Sequence, residues 1–181
     1  MLGNRVYQQL LQKVSLVQVG LAVLLSAYPA LAQNLVVPDG TLGAESSVVT
    51  DLDAVTQRID GGASRGGNLF HSFLEFNVGE GEQVYFSTPG GTFSIFSRIT
   101  GENPSAINGT LGVDGTANLF LMNPNGVMFG PNAQLDIEGS LTATTAENFI
   151  FDNGQMFGVT TPEIPSLLTV TDIPQVGQQI K

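Results

Sequence analysis

From Phe70 onward, apolar and polar side chains alternate in short runs. Phe70, Ser72, Leu74, Phe76 and Val78 fall on one side of an extended chain, and His71, Phe73, Glu75 and Asn77 on the other. A period of two marks β-strand rather than helix. Val84 and Phe86 continue the pattern, and Phe93, Ile95, Ser97 and Ile99 then oppose Ser94, Phe96 and Arg98. The clearest alternation comes last. Leu135, Ile137, Gly139, Leu141, Ala143 and Thr145 oppose Asp136, Glu138, Ser140, Thr142 and Thr144, giving an outward face that is acidic and then threonine-rich.

Turn signals separate these runs. Pro89-Gly90-Gly91, Asn108-Gly109, Asp114-Gly115, Asn125-Gly126, Gly130-Pro131-Asn132 and Asn153-Gly154 recur at short intervals, which leaves no room for a long helix after residue 60. The chain reads as all-β, and a sandwich, a barrel or a β-solenoid all fit. Connections within 118–130 and 134–143 are too short to cross a sandwich but suit a corner within one coil. This favours a solenoid whose coils stack around a continuous interior. No strict repeat length emerges. A solenoid exposes strand edges at its ends unless they are capped, and residues 34–40 and Val48-Val49 are expected to supply a capping strand over the first coil. Residues 61–67, rich in glycine, read as a loop leading into the coils.

The most sharply defined turn is Asn123-Pro124-Asn125-Gly126, set between Asn118-Leu119-Phe120-Leu121-Met122 and Val127-Met128-Phe129-Gly130. Asn at the first position, Pro at the second and Gly at the fourth suit a type I turn. Pro presets φ, the Asn side chain accepts a local backbone hydrogen bond, and Gly tolerates positive φ.

The chain begins with a different pattern. Arg5 and Lys13 precede an apolar run over 14–25, and Ala30-Leu31-Ala32 precedes Gln33. That order is a secretory signal peptide over 1–32 with cleavage after Ala32. The run is interrupted by Ser15, Gln18 and Gly20 and is shorter than the roughly 20 residues a membrane span requires. Cleavage removes two of the six basic residues and none of the sixteen acidic ones, so four basic against sixteen acidic residues leave a net charge of −12. Only Arg58, Arg65, Arg98 and Lys181 then remain to neutralise phosphates, which argues against a nucleic-acid partner and against an anionic membrane surface. The sequence contains no cysteine, so disulfides, thiolate metal sites and thiol nucleophiles are excluded and the fold rests on packing and hydrogen bonds.

Several segments carry a resemblance in a fixed order: Asn68-Leu69-Phe70-His71-Ser72-Phe73, Phe76-Asn77-Val78, Ser97-Arg98-Ile99-Thr100-Gly101, residues 117–130 with their Asn-Pro-Asn-Gly core, and Gly139-Ser140-Leu141-Thr142-Ala143-Thr144-Thr145-Ala146. Together, over about 33–177, they resemble the amino-terminal two-partner secretion (TPS, or haemagglutination activity) domain of filamentous haemagglutinin-type exoproteins. The resemblance implies a right-handed parallel β-helix (β-solenoid) with an amino-terminal cap over 33–165, followed by the end of the domain or a truncated tail over 166–181. It also implies recognition by an Omp85-type outer-membrane transporter with POTRA domains, after passage through the Sec machinery, in a diderm bacterium. The domain would then initiate export and folding of an adhesin-like protein at the cell surface or beyond it. Asn123, Pro124, Asn125 and Gly126 become the candidate transporter-recognition or folding turn. An upstream NPNL-like motif common in the family is absent, Glu102-Asn103-Pro104-Ser105 being the nearest echo. Family members also continue for hundreds of residues, so a chain ending at Lys181 is expected to be a fragment or a short secreted remnant.

Alternative chemistries find thin support. His71 is the only histidine, which leaves a triad or a metal cluster short of partners and makes a surface or packed strand residue the better reading. Asp136 and Glu138, two apart on one expected strand face, could serve glycoside hydrolysis or calcium, but a solvated face explains them without a third acidic ligand. Residues 61–67 with Arg65 lack the spacing of a phosphate-binding loop and read as a linker. Asn108-Gly109-Thr110 is a glycosylation sequon that a bacterial route leaves unused. Thr142, Thr144 and Thr145 suit an outward hydroxyl row or cross-coil hydrogen bonds, and the phenylalanines suit the core. No catalytic residue, metal or cofactor is expected. The alternatives are a self-sufficient adhesin for host or cell-surface glycans and a polysaccharide-active β-helix enzyme.

Overall fold

The computed structural model describes residues 34–160 and 175–177. The expected leader over 1–32 and the tail over 166–181, apart from 175–177, lie outside the described residues. In chain order the strands are β1 (Leu35–Pro38), β2 (Ser47–Asp51), β3 (Thr56–Gly61), β4 (Ala63–Arg65), β5 (Asn68–Asn77), β6 (Gln83–Ser87), β7 (Ser94–Ile99) and β8 (Ser105–Ile107). They continue with β9 (Thr110–Asp114), β10 (Asn118–Met122), β11 (Val127–Phe129), β12 (Gln134–Asp136), β13 (Leu141–Thr144), β14 (Asn148–Ile150), β15 (Met156–Gly158) and β16 (Gln175–Gly177). The helical content of the described residues is one turn of 3₁₀ helix at Gly43–Glu45.

Three parallel sheets form the sides of a solenoid. The first stacks β5, β7, β10 and β13, the second β3, β6, β9 and β12, and the third β8 and β11, which the Val78–Ile107 bridge extends back one rung. The expected parallel β-helix is therefore present. Rungs on the first sheet are 26 residues apart from Asn68 to Ser94, 24 from Ser94 to Asn118, and 22 from Leu119 to Leu141. The varying length explains why no strict repeat was legible: strand registers are kept while the corners shorten.

The start of the solenoid is capped, as expected, by strands that run against it. β1 pairs antiparallel with the later part of β5, from Leu35–Asn77 to Pro38–Phe73, and β2 pairs antiparallel with β3. A third capping strand occupies the segment read as a loop. Residues 63–65 form β4 and return through a Gly66-Gly67 turn to pair with the start of β5, Arg65 opposite Asn68. Glycine richness here marks a tight hairpin, and Arg65 is held by a two-pronged ion pair to Glu45 at 2.7 and 2.9 Å.

The alternation from Phe70 to Val78 also differs from the expectation. Leu69, His71 and Phe73 point into the solenoid while Phe70 and Ser72 point outward, yet Phe76 and Val78 are again interior. The pairing with β1 explains the change, because its register shifts between Val37 and Pro38 and leaves Leu74 as an extra residue opposite them. One bulged residue exchanges the two faces and bends the strand. Leu74 sits exposed at that bend, where the chain turns from the first sheet to the third.

Two apolar clusters flank the first sheet. Inside, Leu69, Ile95, Leu119 and the half-buried Leu141 stack in register with one another and share a core with Phe73, Phe76, Val84, Phe86, Ile107 and Leu111. Outside, Phe70, Phe96 and Phe120 form a second column, with ring centroids 5.3 and 4.7 Å apart. The antiparallel sheet β15–β14–β16 covers that column, and Phe149, Phe151 and Phe157 meet it edge-on. Replacing Phe96, which touches four of these rings, with Ala is expected to cost about 3–5 kcal/mol in urea unfolding. Met128→Ala, on an exposed outward side chain, should stay within about 0.5 kcal/mol.

Candidate functional site

The Asn123–Gly126 tetrapeptide forms the corner between the first and third sheets. The Gly126 amide donates to the Asn123 carbonyl at 3.0 Å, and the Asn125 amide donates to Asn123 Oδ1 at 2.9 Å. The local geometry is thus the turn the residues specify, with Gly126 at φ 119°. What the local pattern does not contain is the vertical bonding. Asn123 Nδ2 donates to the Asn103 carbonyl and to Ser105 Oγ, both at 3.0 Å, in the rung before. Its backbone amide donates to the Thr144 carbonyl in the rung after. Asn123 is fully buried and its side-chain polar atoms are all engaged. Asn125, by contrast, is exposed and reaches back to the Gly101 carbonyl at 2.8 Å. The echo at Asn103-Pro104 is the turn on which this one stacks.

The Ser97-Arg98-Ile99-Thr100-Gly101 segment leads into that lower turn, and its residues divide their tasks. Ile99 packs in the interior. Gly101 passes so close to the preceding rung that a Cβ would lie 2.1 Å from the Leu74 carbonyl oxygen. Thr100 Oγ1 donates to Asp39 at 2.7 Å. Arg98 is only 1% exposed, on the outer face beside the phenylalanine column. Its Nε donates to Ser72 Oγ at 2.8 Å, and its guanidinium also donates to Thr41 Oγ1 at 2.8 Å and to the Gly158 carbonyl. Asp39 accepts from the Ser72 hydroxyl at 2.7 Å and from the Thr41 amide and hydroxyl at 2.9 and 2.8 Å. Burial pushes the Asp39 carboxyl up, but the hydrogen bonds from Ser72, Thr41 and Thr100 outweigh it and hold the group below its ordinary value. Burial also lowers Arg98, and Asp39 opposes that shift.

The motifs that carried the resemblance therefore lie on one stack of corners and the strands feeding it. The TPS secretion domain family model matches residues 34–179, which takes in the cap, the rungs and the carboxy-terminal sheet. The chain belongs to the TPS secretion domain family. Among solved structures it is similar to the crystal structure of the filamentous hemagglutinin secretion domain, with a TM-score of 0.53 and 24% identity over 67% of this chain and 45% of that one. This likeness speaks to the fold. Two heme/hemopexin-binding proteins of Haemophilus influenzae, one from strain Rd, are 33% identical over 79 residues and 31% over 85, which is 44% and 47% of this chain. Those segments are 8% and 9% of the relatives' own lengths.

In this TPS domain the other sequence candidates lie on strands and corners of the solenoid. His71 is a packed strand residue: it is fully buried between Phe73 and Phe86, with Nδ1 3.0 Å from Ser47 Oγ on the capping strand β2. Its Nε2 has no hydrogen-bond partner among the described residues. Burial drives its pKa down from 6.5 to about 3, against a weak opposing pull from Asp60. Asp136 and Glu138 do not share a strand, because β12 ends at Asp136 and Glu138 lies in the following corner. Asp136 accepts a hydrogen bond from the Tyr85 hydroxyl at 2.8 Å. Thr144 Oγ1 accepts from the Ala146 amide. No group of three His, Asp or Glu side chains among the described residues is arranged to hold a metal ion. The sequence reading missed the Asp39–Arg98 network. Its one signal was an arginine two residues after Phe96, on the same face of the strand.

Two predictions arise from this geometry. Asn123→Ala leaves Ser105 and the Asn103 carbonyl without their buried donor and should cost about 2–3 kcal/mol in denaturant unfolding, while Asn125→Ala should cost under about 1 kcal/mol. In the unfolded chain the His71 imidazole titrates near 6.5, whereas the folded state holds it neutral to about 3. The stability this provides is complete above pH 6.5 and is lost as pH falls, by up to about tenfold in the folding constant per pH unit. Asp39, whose folded pKa is depressed, loses its contribution only at lower pH, below its unfolded value of 3.8. A drop in urea midpoint between pH 6.5 and 4 should therefore be present in the native protein and flattened in His71→Gln.

Proposed function

We propose that this TPS domain is recognised in the periplasm by the POTRA domains of an Omp85-type outer-membrane transporter, and that it initiates export and β-helix folding of its exoprotein. The observation that carries this reading is the family match over 34–179, which spans the whole region from cap to β16. The geometry of the far end supports a strand-pairing mode of recognition. β11, β12 and β13 each close their sheet with a partner on one side among the described residues. Phe129 and Leu135, in register with the fully buried Ile107 and Leu111, are 43% and 53% exposed there. Free edges beside apolar side chains are what β-augmentation uses, with main-chain hydrogen bonds for affinity and side-chain pockets for selectivity.

Within this reading the Asn123–Gly126 turn acts first as a folding corner, through buried Asn123, and its outward part, Pro124 and Asn125, is the portion a transporter can touch. Residues 1–32 serve as the Sec leader. The exoprotein is adhesin-like, and the names of the Haemophilus influenzae relatives add heme or hemopexin as ligands to test on the whole exoprotein.

The reading is checked by pull-down of residues 33–181 on POTRA domains of the transporter encoded beside it, together with secretion into the medium. Asn125→Ala should weaken capture while lowering unfolding stability by under about 1 kcal/mol, and Asn123→Ala/Asn125→Ala should reduce secretion. Native export of the double variant would remove the turn from the mechanism, and failure of the native chain to bind would remove the transporter. Intact mass of the exported protein should place its first residue at Gln33.

A further inference from the structure

We propose that Arg98 is a positioning residue that fastens the amino-terminal cap and the carboxy-terminal sheet to the same face of the solenoid, so that both close in one cooperative step. Its guanidinium is fixed from two directions. Thr41, in the segment after β1, and Ser72, on β5, accept hydrogen bonds on the amino-terminal side. Gly158, at the end of β15, accepts through its backbone carbonyl, and the Phe157 ring lies 4.5 Å from the guanidinium carbon. Thr41 and Phe157 belong to segments far apart in sequence, and Arg98 lies between them.

Charge explains why neither side suffices. A cation this deeply buried needs its hydrogen bonds and a counter-charge together, because desolvation otherwise outweighs what either returns. The counter-charge is Asp39, and it acts through intervening hydroxyls. Ser72 and Thr41 each accept from Arg98 and donate to Asp39, so a proton-ordered chain runs from cation to anion. With β15 undocked, the guanidinium loses the Gly158 carbonyl and the Phe157 face and opens toward water. The two hydroxyls then lose the donor that orients them toward Asp39. Docking β15 and ordering the segment from Asp39 to Thr41 therefore favour each other. The consequence for secretion rests on the transporter reading above: a chain delivered amino-terminus first would not lock its cap until residue 158 had followed.

Coupling within the purified protein tests the proposal and does not depend on any transporter. A double-mutant cycle pairs Thr41→Val, which removes the hydroxyl, with Phe157→Leu, which removes the aromatic face, and reads urea unfolding. The two effects should be non-additive by about threefold to tenfold in the folding constant, the range for residues sharing one network. Thr41→Val with Phe149→Leu, in the same sheet but against Phe96 and Phe120, should be additive. Repeating the first cycle on Arg98→Lys, which keeps the charge but not the planar fork, should abolish the coupling. A first cycle that closes within about twofold, equal coupling to Phe149, or coupling that survives in Arg98→Lys would each overturn the proposal.

Discussion

The first sheet carries an apolar column on each face, and the interior of a solenoid can bury only one of them. Leu69, Ile95 and Leu119 fill the interior, but Phe70, Phe96 and Phe120 stand on the opposite face in the same register. Parallel sheets buried on both faces are the rule when another layer covers them. Each large side chain so covered contributes about 1.5–3 kcal/mol, so the outer column demands a layer of its own. Phe149, Phe151 and Phe157 provide that layer. The remaining features of the outer face follow from it. A dry surface is created, Arg98 lies within it, and Thr41 and Asp39 of the amino-terminal segment, with Ser72 on β5, keep that cation satisfied.

Much of the strand content was legible because alternation is a local property. The runs at β7 and β10 place their inward and outward residues as their spacing requires, and the corner at Asn123 makes the hydrogen bonds its residue types favour. What was not legible depends on contacts between rungs. The bulge at Leu74 exchanges the faces of one strand, and only its pairing with β1 reveals it. The hairpin through Gly66-Gly67 looked like a linker because its partner strand follows immediately and its side chains are small. The acceptors of Asn123 lie 18 and 20 residues earlier, at a distance fixed by a rung length that itself varies. Asp136 and Glu138 seemed paired because a corner at 137–140 continues the alternation of the strands on either side.

At the Asn123 corner, neighbouring residues of one turn have different duties. Asn123 is committed to the rungs before and after it, while Asn125 reaches the solvent side. Uniform treatment of the motif would merge a contribution to folding with a contribution to contact, although the two act on different surfaces. The same separation holds at the two ends of the Ser97–Gly101 segment, where Gly101 serves close approach between rungs and Arg98 serves the layer outside them.

The strands over the first rung all run opposite to it, and this gives the molecule a polarity. Among the described residues, the parallel sheets are left open at β11, β12 and β13. At the amino-terminal end the outer edges of β3 and β5 are already taken by antiparallel strands, so a second copy meets no open parallel strand on those two sheets.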